Sequence, residues 1–150
     1  MKTTWVLVAD STRARLLEAE NPIGPLKEIE TLVHPEGRLH ESDINSDSPG
    51  RAFDSGGQGR HAMGQTVGAK EHEAGTFVRD ISQRLDRGRE SGDLKQLIIV
   101  AAPALLGLLR KHMSTETARL ITLELDKNIT QMGPSELRAH LPERLPQLGA

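Results

Sequence analysis

"TWVLVADSTRARLLEAENPIGPLKEIETLV", residues 4–33, holds the pattern on which the fold turns. Thr4 to Asp10 is a short, β-branched apolar run with no polar alternation, as expected of a central strand covered on both faces. Asp10, Ser11 and Thr12 read as a turn, after which Ala14 to Ala19 pairs back as a hairpin strand. Asn21 to Pro25 cannot continue that strand, because both of its prolines lack an N–H. A third strand then runs from Leu26 to Val33, with Ile29, Thr31 and Val33 on one face and Glu28 and Glu30 on the other. These three strands form an antiparallel meander.

Downstream the period changes. In "KEHEAGTFVRDISQRLDRGRESGD" (70–93), Ala74, Phe77, Val78, Ile81 and Leu85 make one stripe of a 3.6-residue period, with acids at the start and arginines near the end. Gly92 is the expected stop. Gln96 to Ala101 is again apolar throughout, the mark of a second central strand, and Pro103 opens a helix over "PALLGLLRKHM". Leu120 to Leu125 gives a fifth strand, with Ile121, Leu123 and Leu125 facing away from Thr122 and Glu124. "GPSELRAHL" supplies a last short helix capped by Ser135. The order βββ, long loop, αβαβα specifies an α/β fold with a ribonuclease-H-like mixed sheet, in a single domain over residues 1–150.

Composition narrows the chemistry. The apolar fraction is 36% and Trp5, Phe53 and Phe77 are the only aromatics, so the core is aliphatic. Without cysteine there is no disulfide and no thiolate metal site. The apolar run Trp5–Ala9 is too short for a signal peptide or a membrane span, which points to a cytoplasmic protein with no membrane association. A net charge of −2 gives no global attraction to nucleic acid, so any such contact needs a local basic patch.

A ribonuclease-H-like order invites a search for metal-binding carboxylates. Asp10 ends the first strand and Glu71 or Glu73 could serve from the helix, but the fourth strand ends "IIVAAPA" and offers no acid. Asp10 reads instead as a turn residue bonded to its own backbone. His61, His72 and Glu73 lack the spacing that places two ligands on one helical face. The sequence thus predicts no metal site and no cofactor.

Residues 34–70 read as a long, glycine-rich, mobile loop after the third strand. Its acids, Glu36, Glu41, Asp43, Asp47 and Asp54, fall in the first part, whereas Gly56 to Lys70 carries Arg60, His61 and Lys70 and no acid. Loops this long inside a compact domain are usually functional or disordered. Within it, "FDSGGQGRHAMGQ" (53–65) contains Gly56-Gly57-Gln58, either a flexible tip or a reactive tripeptide.

Several blocks in order, "WVLVADSTRARLLE", "SPGRAFDSGGQGRHA", "FVRDISQRL", "LIIVAAPALLGLLRKHM" and "ELDKNITQM", resemble the bacterial family of proteins required for attachment to host cells, over nearly the whole chain. That family is similar in turn to the middle domain of archaeal and eukaryotic peptide release factors. The resemblance implies a catalytic loop at Gly56, Gly57 and Gln58, in which two glycines allow close backbone approach and the Gln58 N–H stabilises charge at the tRNA 3′ oxygen. It also implies that Arg51, Arg60, His61 and Lys70 contact RNA phosphate. The release factors' codon-reading and ribosome-stalk-binding domains have no counterpart in these 150 residues. The first expectation is therefore a non-enzymatic or regulatory domain that binds RNA, the ribosome or tRNA, or another protein. The alternative is peptidyl-tRNA hydrolysis in ribosome rescue.

Overall fold

A computed structural model describes the backbone of residues 3–33 and 59–149, and side chains over 3–33 and 75–149. Three strands, β1 (Thr4–Ala9), β2 (Arg13–Ala19) and β3 (Lys27–Val33), precede the long helix α1 (Gly59–Ser91). Then follow β4 (Gln96–Ala101), α2 (Pro103–His112), the single turn α3 (Thr115–Ala118), β5 (Ile121–Asp126) and α4 (Pro134–Ala139). The five strands lie in the order β3-β2-β1-β4-β5. Pairs β1–β2 and β2–β3 are antiparallel, whereas β1–β4 and β4–β5 are parallel. This is the mixed ribonuclease-H-like sheet expected from the sequence.

Both faces of the sheet are covered, which is why β1 and β4 are apolar without alternation. On one face Trp5, Leu7, Leu16, Leu97 and Ile99 pack against Phe77, Val78, Ile81 and Leu85 of α1 and Leu105 and Leu109 of α2. On the other, Val6, Val8, Leu17, Ile98 and Val100 meet Leu137, Leu141 and Leu145. Leu137 lies on α4, and Leu141 and Leu145 follow it in irregular chain. That final stretch is fixed by polar contacts. Leu145 N–H donates to the Pro22 carbonyl at 2.8 Å, and Arg138 Nε donates to the Gly24 carbonyl at 2.8 Å. The fully buried Gln96 donates from Nε2 to Thr4 Oγ1 at 2.8 Å and accepts from Leu148 N–H at 2.7 Å.

Four expectations need correction. Helix α1 begins at Gly59, so residues 59–70 of the expected loop are helical. Gly59, Gly64 and Gly68 each lower helix propensity by about 1 kcal/mol against alanine and no apolar stripe crosses them, so pattern places the start too late. The rest of the expected loop, 34–58, lies outside the described residues. Strand β3 pairs Leu16 with Glu30 and Leu17 with Glu28, leaving Ile29 as a bulge. Glu28 and Glu30 therefore take opposite faces, because an extra residue breaks the period of two. In β5 the same happens at Thr122, where Leu97 pairs Ile121 but Ile98 pairs Leu123. Ile121 accordingly packs on the α1 face, and Leu123 and Leu125 pack on the α4 face. Finally, the N-cap of α4 is Gly133, with Pro134 in the first helical position and no side-chain cap from Ser135. The fixed φ of proline sets that start two residues early.

Candidate functional site

The C-terminal ends of the parallel strands β1 and β4 mark the point where chain connections leave in opposite directions, the usual location of a site in an open α/β sheet. At this end Asp10 closes the β1–β2 turn. Its Oδ1 accepts from Thr12 N–H (2.8 Å), Thr12 Oγ1 (2.8 Å) and Arg13 N–H (2.9 Å). Its Oδ2 accepts a short bond from the Thr130 hydroxyl. Burial pushes the Asp10 carboxyl up, but the hydrogen bonds from Thr130, Thr12 and Arg13 outweigh it and hold the group below its ordinary value. The turn-residue reading of Asp10 is what the structure shows. With its oxygens occupied by four donors, Asp10 is poorly placed to ligate a cation.

Beside it, Arg15 projects from β2 toward the chain between β5 and α4. Its Nε and Nη2 donate to the two oxygens of Glu28 at 2.8 and 2.7 Å, and its Nη1 donates to the Thr130 carbonyl at 2.9 Å and to the Met132 carbonyl. A planar guanidinium satisfies a carboxylate and two carbonyls at once in a way that an ammonium could not. The Arg15 bond is the main cause that holds Glu28 below the ordinary carboxylate range. Asp10, Arg15, Glu28 and Thr130 thus form one network that locks the 129–132 segment over the sheet. Among the described residues no group of three or more His, Cys, Asp or Glu could hold a metal ion. No helix among them is long and apolar enough to cross a membrane.

Sequence reading missed Arg15 and Thr130. Arg13 and Arg15 alternating with Ala14 and Leu16 was the available signal, since it puts two cations on one face of a central hairpin strand. Thr130 gave none, lying 115 residues from Arg15 along the chain. Of the residues assigned to catalysis or RNA binding, Gly56, Gly57, Gln58 and Arg51 lie outside the described residues. Arg60, His61 and Lys70 lie on the first half of α1, and their side chains are also outside the description.

A search of curated proteins finds no match. Among solved structures, the chain is similar to a crystal structure of archaeal translation termination factor, aRF1, with a TM-score of 0.48 and 11% identity. The alignment covers 86% of this chain and 31% of that one, so this chain spans about a third of that factor's length. The family described as "Protein required for attachment to host cells" matches residues 5–141. That match takes in every described strand and helix except Thr4 at the start of β1, and the chain belongs to the family of proteins required for attachment to host cells.

Proposed function

We propose that this chain is a non-enzymatic or regulatory interaction domain that docks on RNA within the ribosome or tRNA through the first part of α1. One observation carries the reading. Helix α1 has 33 residues, about 50 Å at the usual rise, and Phe77, Val78, Ile81 and Leu85 root its second half in the core. Upstream of that anchor, Gly56 to Lys70 holds Arg60, His61 and Lys70 with no acid, a local basic stretch on a chain of net charge −2. Three cations without an acid between them suit phosphate, and phosphate contact fixes orientation without reading sequence. At the described end of the sheet, Asp10 and Glu28 are committed to holding the fold, which favours binding over acid–base chemistry there. An indirect part in attachment to host cells accords with such a domain.

The test is co-sedimentation with ribosomes at moderate salt. The wild-type chain should pellet with ribosomal particles, and the double variant Arg60→Ala, Lys70→Ala should lower the slope of log affinity against log salt by roughly 1.5 to 2. Absence from every ribosomal fraction would assign the surface to a protein partner instead. A second reading, release of stalled peptides, is favoured by the position of Gly56-Gly57-Gln58 directly ahead of the first residue of α1. It predicts peptidyl-tRNA hydrolysis on stalled ribosomes that Gln58→Ala slows by about tenfold or more, because alanine keeps the backbone N–H but loses the side-chain amide that helps place the water. Equal rates for the two proteins would remove the catalytic role.

A further inference from the structure

Next to the Asp10–Arg15 network lies a cleft of about 280 Å³, lined by Thr12, Arg13, Thr31, Val33 and Gln131. It opens on the face of the sheet that carries α4, where Arg13 pairs with Val33 across the β2–β3 ladder and Arg15 pairs with Thr31. The two arginines of β2 are used differently. Arg15 is spent on Glu28 and two carbonyls, whereas Arg13 makes a single long bond, Nη2 to the Thr130 carbonyl at 3.3 Å. Among the described residues no carboxylate stands within ion-pair distance of Arg13. The acids that could neutralise it are already bonded elsewhere: Glu28 to Arg15, and Asp10 to Thr12, Arg13 N–H and Thr130. The Gln131 side chain, exposed on the opposite wall, likewise has no hydrogen-bond partner among the described residues.

A guanidinium with one long hydrogen bond and no ion pair among the described residues, set in a small polar cleft, can offer a planar oxyanion two parallel N–H bonds. The charge at this corner decides which one. Arg13 and Arg15 are balanced by Asp10 and Glu28, so a singly charged group is accommodated better than a dianion. Val33 adds an apolar wall for a short carbon stem. We propose that this cleft binds a carboxylate, with Arg13 as its partner and the Gln131 amide completing the hydrogen bonds, while the Thr31 hydroxyl on the same wall already donates to Glu28 at 3.4 Å. The site is separate from the α1 segment, so its failure would leave the RNA-docking reading untouched.

Two ligand sources share this chemistry, a free small carboxylic acid and the C-terminus of a peptide. Two-dimensional amide NMR of the full chain, titrated with N-acetylglycine, with a short peptide bearing a free C-terminus, with the same peptide amidated, and with inorganic phosphate, separates them. Saturable shifts at Thr12, Arg13, Thr31 and Gln131 with the free carboxylates and none with the amide are expected. Similar affinity for both carboxylates assigns a small acid, and tighter binding of the peptide assigns a protein C-terminus. Arg13→Gln should weaken binding by about tenfold or more while leaving the rest of the spectrum in place, and Arg13→Lys should recover only part, since bidentate geometry is lost. Phosphate binding at least as tight as carboxylate, affinity unchanged in Arg13→Gln, or no saturable shift at the cleft would each overturn the assignment.

Discussion

Asp10 shows how much a single side chain can commit. Its four donors and the Arg15 bond to Glu28 depress both carboxyls, so each stabilises the fold while ionised. For a depressed carboxyl, the contribution is fully present above the unfolded-state value and is lost as pH falls through the folded one. Urea unfolding should therefore show stability falling between about pH 5 and pH 3, and Asp10→Asn should flatten that limb while lowering stability at neutral pH. An acid limb as steep in Asp10→Asn as in wild type would mean that other carboxyls carry it. Asp10 was legible in the sequence because its partners Thr12 and Arg13 are neighbours. The Arg15 contacts were not, since they depend on where residues 130 and 132 return to the sheet.

At the scale of elements, α1 is held by a close approach as well as by its apolar stripe. A Cβ on Gly88 would lie 2.6 Å from Trp5 Cη2 and 2.8 Å from Cζ3, so the helix can lie this near β1 only with glycine there. Arg84, one turn earlier, sits over the Trp5 ring at 5.2 Å and reaches Glu30 of the edge strand at 2.9 Å. Gly88→Ala gains helix propensity of about 1 kcal/mol, but overpacking against a buried indole costs roughly 1–3 kcal/mol. A net loss of stability with altered Trp5 fluorescence is expected in thermal unfolding, and a stabilised variant would contradict the close packing. The stripe from Phe77 to Leu85 and the stop at Gly92, with its φ of +87°, were readable from period and residue type. The bulges at Ile29 and Thr122 were not, because a bulge is a property of two strands in register and neither sequence alone records it.

For the whole molecule, the sheet faces are closed by different means, one by the long α1 and α2, the other by α4 and irregular chain. Leu145, 1% exposed, plugs the second face from a stretch with no regular hydrogen-bond ladder. Leu145→Ala should cost about 2–4 kcal/mol, because that stretch has little neighbouring structure able to collapse into the cavity. Urea titration checks the size of the effect, and dye binding to exposed apolar surface checks its location. The class and strand order were legible because consecutive hairpins and βα units admit few topologies. The cover from Leu141 and Leu145 was not, since isolated leucines between prolines carry no period.

Gln96 gives this architecture a further property. One buried carboxamide is bonded to Thr4 and to Leu148, so the two described ends of the chain meet at the start of β4, across the length of β1 from Asp10. A short peptide joining the termini would close the backbone into a ring with little native strain. In the chain-entropy picture, such a ring removes about 5 kcal/mol of freedom from the unfolded state. The first strand and the last described residues are thus held to one another by a single buried side chain.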